Sequence, residues 1–488
     1  MPPCTPTDSA TSGTVKYSTL LQLMMQQLPF VPNDTQQRTM AQMIRFACAP
    51  DAPPLMLLNG YAGTGKTSLI ASFARMLRAV GRTVILLAPT GRAAKVLSDH
   101  VGAKAYTIHK QIYRRKSSTD AFSSFQLNFN KYQHAVFIVD EASMIGAWTA
   151  EHALFGSGNL IEDLMTFADN HRSCRVLLSG DTAQLPPVGL EHSPALDEAY
   201  MKQYSSSLVS CQLTEVARQA EGSGILTNAT MLRRMLAAGV GDFPALSTAS
   251  FEDIRAIPGS ELMELLADCY DRRGLEETMV ICHSNRRANR YNEGIRNRIL
   301  YREEELTSGD VLMVVRNNYY WAESSGLADE VGFIANGDTI RIRRIRRLTE
   351  RYGFHFAEAD VILTDYDQEI SAMLLIDTLH SEQAALSVED QKRLYSAVLE
   401  DYAGLPRPKQ REAMSKDPFY NALQVKYAYA VTGHKSQGGQ WHTVFIDNGW
   451  YQETPPDTAY LRWLYTALTR ATDTVYLVNF PKNFLTME

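Results

Sequence analysis

Apolar residues change their spacing along the chain, and the change predicts helices that alternate with strands. From about Tyr17 to Ala49 they recur at helical spacing on both sides of LPFVPND, which predicts two helices. Short apolar runs follow between amphipathic stretches: LMLL at 55, VILLA at 84, VFIVD at 136 and VLLSGD at 176. Because strands that alternate with helices pair in parallel, an α/β domain is expected.

A second series of strand-like runs has the same character but is interrupted. MVICHS begins at 279, whereas TVFIDN and TVYLVNF begin only at 443 and 474. The intervening sequence opens with alternating segments, DVLMVV, DTIRIRRIRRL and ADVILTDYD, separated by NN, NG and SG turns. It continues as a polar amphipathic helix and a proline-containing break. We therefore expect a small β-barrel or sheet with a helical extension, inserted in a second α/β domain.

These patterns divide the chain into four parts. Residues 1–16 are rich in Pro, Ser and Thr, and we expect a disordered tail there. The first α/β domain is assigned to 17–210, with a projecting hairpin at about 110–135, where the sequence is polar with interspersed aromatic residues. The second is assigned to 211–300 and 420–488, around an insert at 301–419.

Composition narrows the class of protein without identifying it. The chain has 488 residues, 45% hydrophobic and 21% charged, which is typical of a multidomain globular protein. Its six cysteines include no C-x-x-C, so neither a zinc site nor a disulfide framework is indicated. The N-terminus lacks the features of a signal peptide, and a cytoplasmic protein is expected. A net charge of −6 argues against a generally basic surface, so any nucleic-acid strand must follow a local groove.

The segment GYAGTGKT, between the strand LMLLN and the helix SLIASFARML, fits the phosphate-loop pattern. Its glycines let backbone N–H groups approach phosphate, Lys66 would neutralise the β and γ phosphates, and Thr67 would ligate Mg²⁺. ATP and Mg²⁺ are therefore the expected ligands, with a purely structural glycine turn as the alternative. The expected nucleotide contacts are Gly60, Ala62, Gly63, Thr64, Gly65, Lys66, Thr67 and Ser68.

Polar residues that follow two further strands predict catalytic groups at the same sheet edge. Asp140 and Glu141 come directly after VFIV; Asp140 can hold Mg²⁺, and Glu141 can accept the proton of the attacking water. Gln184 follows VLLSGD and can orient that water or sense the γ-phosphate. Each motif also has an alternative interpretation when it is considered alone. A carboxylate pair after a strand is also typical of a helix cap, and a glutamine after a strand is also typical of a solvated turn.

Two arginines late in the chain could stabilise the charge that develops during phosphoryl transfer. Arg218 lies in LTEVARQ, which leads into the second domain, and Arg470 lies between a helix and a strand in LYTALTRATDTVYLV. Arginine fingers spread charge over the transferred group. A surface salt bridge is the alternative for each residue alone.

In this order, the segments resemble the motifs of superfamily 1 DNA helicases, in particular the RecD-like and Dda-like branch that moves 5′→3′. The resemblance covers about residues 30 to 480 and is specific because the motifs occur together in the family's order. Besides the ATP-site segments and Arg218, the matching segments are Ala88–Ala94, Thr107–His109, Gly180–Val188, Tyr429–Trp441 and Tyr465–Ala471.

The resemblance implies two RecA-like domains of the phosphate-loop NTPase class, with parallel sheets and with ATP in the cleft between them. It also implies a β-hairpin pin on the first domain and a small β-barrel inserted in the second. Gln36 matches the family's adenine-reading glutamine. Gln440 stands where the RecD-like pattern has a glutamate that contacts ribose, and it can still hydrogen-bond a hydroxyl.

The same resemblance implies translocation along single-stranded DNA and unwinding of forked duplex, by a monomer or a subunit of a larger repair complex, with no membrane partner. Stacking and backbone contacts would grip the strand without reading its sequence. Phe122, Phe125 and Phe129 are candidates for the apolar face of the pin. The expected DNA contacts are Pro89, Thr90, Arg92, Thr107, His109, Pro186, Val188, His434, Lys435 and Ser436.

Two alternatives remain at this point. One is a 3′→5′ or RNA-directed superfamily 1 helicase, because the ATP residues are common to the superfamily and the polarity rests on the resemblance. The other is a phosphate-loop switch or scaffold that binds ATP without processive unwinding. Strand displacement on tailed duplexes would distinguish the first alternative from a 5′→3′ DNA helicase. Stimulation of hydrolysis by single-stranded DNA would distinguish the second alternative from a helicase.

Overall fold

The computed structural model describes residues 16–115, 125–146, 155–169, 173–215, 222–239, 241–328 and 331–486. Two helices come first, α1 (Tyr17–Met25) and α2 (Asp34–Cys48), as predicted. The start of α2 is a capping box, in which the Gln36 backbone N–H donates to Asn33 Oδ1 (2.8 Å) and the Asn33 N–H to Gln36 Oε1 (2.9 Å). Both helices pack on the first sheet's core through Leu20, Met40 and Ile44.

The first α/β domain follows the predicted alternation. Its described sheet has six parallel strands in the order β3-β2-β6-β7-β1-β8. The elements are β1 (Leu55–Gly60), α3 (Lys66–Ala79), β2 (Val84–Ala88), α4 (Gly91–Val101), β3 (Ala105–Thr107), α5 (Ile108–Ile112), β4 (Tyr113–Arg115), β5 (Phe125–Leu127), β6 (Val136–Val139), α6 (Leu160–Asp169), β7 (Arg175–Gly180), α7 (Glu198–Met201) and β8 (Leu208–Leu213).

β4 and β5 form an antiparallel pair in the region where a hairpin was predicted. Its connecting residues 116–124, including Phe122, lie outside the described ranges. Phe125 is half-buried, and its ring lies 4.6 Å from that of Tyr319 in the insert. Phe129 is 59% exposed and is the predicted pin residue available at the surface.

The second α/β domain is split, as predicted. Its described sheet has five parallel strands in the order β16-β10-β17-β18-β9. Before the insert come α8 (Gly224–Ala238), β9 (Ile254–Ile257), α9 (Leu262–Arg273), β10 (Thr278–Cys282) and α10 (Asn285–Arg298). The insert holds β11 (Val311–Val314), α11 (Tyr320–Ser324), β12 (Thr339–Arg351), β13 (Phe354–Leu363), β14 (Gln368–Leu375), α12 (Val388–Glu400), α13 (Arg407–Lys416) and β15 (Leu423–Tyr427). After it come β16 (Ala430–Thr432), α14 (Gly433–Ser436), β17 (Trp441–Asp447), α15 (Thr458–Leu468) and β18 (Ala471–Val478).

The insert is a closed barrel of β11 to β15, and α12 and α13 form the predicted helical extension.

Two expected boundaries need correction. The barrel closes with β15, so the second sheet resumes at Ala430 and not at 420. All five residues of β15 are buried, as in a central strand of a parallel sheet. The sequence pattern alone therefore does not distinguish a barrel strand of this kind from a strand of the second sheet. The first sheet extends to Leu213, beyond the expected 210, because β8 pairs with β1 along its full length.

No helix in the described ranges is long and apolar enough to cross a membrane.

Candidate nucleotide site between the two parallel sheets

The loop from β1 to α3 has a shape that depends on glycine. Gly63 and Gly65 have φ of 73° and 79°, a region that side chains other than glycine rarely adopt. A Cβ atom on Gly65 would lie 2.9 Å from Phe30 Cζ, and one on Gly60 would lie 2.6 Å from Lys66 Cγ. The loop therefore closes tightly around the start of α3, the arrangement in which a helix N-terminus favours an anion.

A cavity of about 340 Å³ lies between this loop and the second domain. It gathers every predicted catalytic and metal-binding side chain that lies within the described residues. The first domain contributes Tyr61, Ala62, Gly63, Gly65, Lys66, Thr67, Ser68, Asp140, Glu141, Gly180 and Gln184. Groups from beyond the first sheet complete the lining: Ser223, Ile225, Leu226, Asp253, Gln440, Thr469, Arg470, Ala471, Thr472 and Asp473.

The donors and acceptors at the loop suit a magnesium–phosphate group. Lys66 Nζ donates to the carbonyl oxygens of Gly60 and Tyr61, the latter at 3.2 Å, so its charge lies at the loop itself. Thr67 and Asp140 offer a hydroxyl and a carboxylate, the hard oxygen ligands that Mg²⁺ prefers. The narrow glycine cradle and this ligand pair fit ATP with Mg²⁺.

Two neighbouring carboxylates have raised pKa values because the site is buried. Burial raises the pKa of Asp140, although the Lys66 charge acts in the opposite direction. Burial also raises the pKa of Glu141, opposed by Arg470, whose Nη1 lies 3.8 Å from Glu141 Oε1. Glu141 has φ of 53°, an uncommon conformation for a residue other than glycine, which often marks a functional site. A carboxylate with a raised pKa is suited to accept a proton from water.

Gln184 has an acceptor atom without a partner among the described residues. Its side chain is 6% exposed, and Oε1 accepts no hydrogen bond there. A buried carbonyl oxygen without a donor costs roughly 1–3 kcal/mol. Since Gln184 also lines the cavity, a bound water or ligand hydroxyl could satisfy this atom.

Arg470 reaches this first-domain site from the second domain. It is 3% exposed, and its guanidinium donates to the carbonyl oxygens of Thr466 and Gly439, both at 3.2 Å. These bonds hold the group near Glu141 without neutralising it. Arg218, the other predicted arginine finger, lies outside the described residues.

Three predicted nucleotide contacts do not line the cavity. Gln36 is 1% exposed, and its Nε2 donates to the Thr64 carbonyl (2.9 Å) while its oxygen caps α2. Thr64 is buried, and Gly60 lies beneath the Lys66 side chain. Gln36 therefore supports the loop from behind, and its contact with adenine stays a prediction.

The predicted DNA contacts divide by exposure. Val188 is 77% exposed, whereas Thr107 and Ser436 are 6% and 0% exposed, and Pro186 is buried. Thr90 and Thr107 cap helices, accepting from the N–H groups of Ala93 and Lys110, respectively, both at 3.2 Å. Pro89 is half-buried and His434 is exposed.

Three other predicted DNA contacts touch the second domain or its insert. The Arg92 guanidinium carbon lies 4.1 Å from the ring centroid of Trp441. His109 lies 6.0 Å from Phe333 between ring centroids, and Lys435 donates to Asn336. Arg92 therefore also contacts the second domain, and His109 and Lys435 also contact the insert.

Sequence reasoning missed a set of contacts made by α15. Tyr465, within the segment compared with the family's last motif, donates to Asp181 and accepts from the Ala62 N–H. Arg462 and Thr466 bond the backbone near Gln184. Polar residues at i, i+3 and i+4 in an otherwise apolar helix were the available signal.

Two parallel sheets, a glycine loop at the end of one and an arginine supplied by the other define a phosphate-loop ATPase with a composite site. A family model described as "AAA domain" matches residues 33–240, and one described as "UvrD-like helicase C-terminal domain" matches 427–478.

Two known proteins and one solved structure are similar to this chain over different shares of its length. The ATP-dependent RecD2 DNA helicase of Deinococcus radiodurans is 33% identical over 188 residues, which are 38% of this chain and 23% of that protein. The ATP-dependent DNA helicase dda of Enterobacteria phage T4 is 23% identical over 441 residues, covering 86% of this chain and 93% of that protein. A crystal structure of Bacteroides Pif1 with ADP-AlF3 and ssDNA superposes with a TM-score of 0.44 at 15% identity, covering 94% and 95% of the two chains. The chain is therefore similar to superfamily 1 DNA helicases of the RecD and Dda type.

Proposed function

We propose that this protein is an ATP-dependent DNA helicase that translocates 5′→3′ on single-stranded DNA and unwinds duplex. The observation that carries the proposal is the position of Arg470, which belongs to the second domain but lies 3.8 Å from Glu141 of the first. A site assembled from both domains is complete only when they are close together. Hydrolysis is then linked to their relative motion, as a motor requires.

Each cavity residue has a role that follows from its chemistry. Lys66 and the loop N–H groups bind the β and γ phosphates, and Thr67 and Asp140 hold Mg²⁺, which neutralises phosphate charge when bound. Gln184 orients the attacking water, and Glu141 accepts its proton. Arg470 faces the charge that develops on the γ-phosphoryl group.

The proposed substrate rests on the similar proteins and on the predicted contacts that are exposed or half-buried. The RecD2 and dda relatives are both named as DNA helicases. Single-stranded DNA would pass over both domains along Pro89, Thr90, Val188 and His434, and the β4–β5 hairpin would meet the fork. Opening one base-pair step costs about 1.4 kcal/mol of stacking, which ATP hydrolysis can supply.

The 5′→3′ direction, Mg²⁺ as the metal, forked duplex as a substrate and a cytoplasmic location complete the proposal. The proposal also includes action as a monomer or as a subunit of a larger repair complex.

Hydrolysis measured with and without single-stranded DNA tests the proposal against a simple ATP switch. The helicase predicts that single-stranded DNA of arbitrary sequence stimulates turnover, because the strand contacts both domains and favours the closed site. Duplex without a tail is the control. Turnover that is unchanged by single-stranded DNA would favour the switch.

A further inference from the structure

One tyrosine hydroxyl joins the phosphate loop to the second domain. Tyr465 lies on α15 and is 1% exposed. Its hydroxyl donates to Asp181 Oδ2 at 2.6 Å and accepts from the Ala62 N–H at 2.9 Å. Ala62 belongs to the phosphate loop, and Asp181, itself 1% exposed, begins the loop after β7. A single atom therefore connects three segments of the ATP site.

Neighbouring side chains on α15 hold the rest of the loop after β7. Thr466 Oγ1 accepts from the Leu185 N–H at 2.9 Å, and Arg462 donates to the carbonyl oxygens of Thr182 and Gln184. Because these residues share one face of the helix, α15 contacts the loop that carries Gln184 at several points. The same helix ends at Leu468, just before Arg470.

The chemistry of the pair of bonds requires a neutral hydroxyl. Burial and the adjacent Asp181 carboxylate raise the pKa of Tyr465 well above its ordinary value, so the hydroxyl keeps its proton. A protonated hydroxyl can donate to one partner and accept from another, and the bond to a carboxylate is of the stronger, charge-assisted kind. Phenylalanine fills the same space but can make neither bond.

We propose that Tyr465 is a positioning residue for ATP hydrolysis: with Ala62 and Asp181 it forms a latch that holds the phosphate loop, Gln184 and Arg470 in one arrangement. The proposal rests on the proposed function, because a latch across the cleft affects turnover only in an enzyme whose two domains close on ATP. When the domains separate, both hydroxyl bonds break together, since Tyr465 moves away from Ala62 and Asp181 at once. The phosphate loop thereby responds directly to the position of the second domain.

The first test compares Tyr465→Phe with a matched control. Tyr460, five residues earlier on α15, is equally buried and donates to Asn448 at 2.8 Å, but this bond lies wholly within the second domain. We expect Tyr465→Phe to lower DNA-stimulated kcat about tenfold, the loss of one charge-assisted hydrogen bond, while KM for ATP changes little. Tyr460→Phe should lose similar thermal stability and keep wild-type kcat. Equal kcat in the two variants would overturn the latch.

A second measurement does not depend on activity. In the latch the Ala62 N–H is hydrogen-bonded to Tyr465, so Tyr465→Phe should accelerate hydrogen exchange of the phosphate loop about tenfold, and Tyr460→Phe should not. Unchanged exchange would refute the latch, whatever the enzyme does. A wild-type chain without DNA-stimulated turnover would refute the helicase proposal, and the exchange result would still decide the latch.

A double variant tests whether the two bonds act as a unit. Asp181→Asn keeps the oxygen that accepts from the Ala183 N–H at 2.9 Å but replaces Oδ2, the acceptor of the Tyr465 hydroxyl. If the latch acts as proposed, adding Asp181→Asn to Tyr465→Phe lowers kcat no further than the more damaging single change. Fully multiplicative losses would show that the two residues act separately and would overturn the proposal.

Discussion

Replacing Arg470 with alanine removes the second domain's direct contribution to the ATP site. The wild-type guanidinium is buried, bonded to two carbonyl oxygens and positioned near Glu141. Alanine leaves those carbonyl groups without this donor and the Glu141 carboxylate without its nearest described cation. The pKa of Glu141, already raised by burial, should rise further because Arg470 is the main group that lowers it.

The expected magnitude follows from the arrangement of charge. An arginine that faces a transferring phosphoryl group is worth roughly 10³ to 10⁵ in rate. Even the lower value corresponds to about 4 kcal/mol of transition-state stabilisation. A partly exposed salt bridge would contribute about 1 kcal/mol or less. The two interpretations of Arg470 therefore differ by more than two orders of magnitude in kcat.

Steady-state hydrolysis with saturating single-stranded DNA measures this difference. We expect Arg470→Ala to reduce kcat by about 10³ or more while nucleotide still binds. Arg287→Ala is the control, because it removes another arginine that pairs with a buried carboxylate, Asp447, but does not line the cavity. Thermal unfolding shows whether both variants are folded. Turnover within tenfold of wild type in folded Arg470→Ala would refute the assignment of Arg470.

Three further substitutions test the first-domain half of the site. Lys66→Ala should abolish turnover and weaken ATP binding in a fluorescent-nucleotide titration, because the loop loses its charge; full turnover would contradict the phosphate-loop role. Glu141→Gln should bind ATP but not hydrolyse it in a single-turnover assay; normal hydrolysis would mean that another group is the base. Gly65→Ala should reduce ATP affinity at least tenfold, since its Cβ would lie 2.9 Å from Phe30 Cζ at a φ of 79°; wild-type affinity by isothermal titration would show that the loop tolerates the side chain.

The sequence was most informative about candidate functional residues that come directly after a strand. Lys66, Asp140, Glu141 and Gln184 each come soon after an apolar run, and parallel strands bring their carboxyl ends to one sheet edge. Their meeting in one cavity was therefore predictable from order and periodicity. The role of Gln36 was less predictable, because Asn33-x-x-Gln36 also fits a capping box. In the structure the Gln36 side chain forms that capping box at the start of α2.

Contacts between distant segments could not be predicted from local pattern. The Tyr465 hydroxyl bonds Asp181 and Ala62, which are 284 and 403 residues away in the chain. Nothing in the spacing of α15 specifies which loop its polar face will meet. β15 shows a related limit, since burial on both faces makes a barrel strand look like a central strand of a parallel sheet.

Strand displacement on forked duplexes tests the central claim most directly. Four substrates are compared, a 5′ or a 3′ single-stranded tail on DNA or on RNA, each with ATP and with Lys66→Ala as the inactive control. The proposed function predicts ATP-dependent separation of the 5′-tailed DNA duplex. Displacement seen only with a 3′ tail or only with RNA, or none at all despite DNA-stimulated hydrolysis, would contradict it.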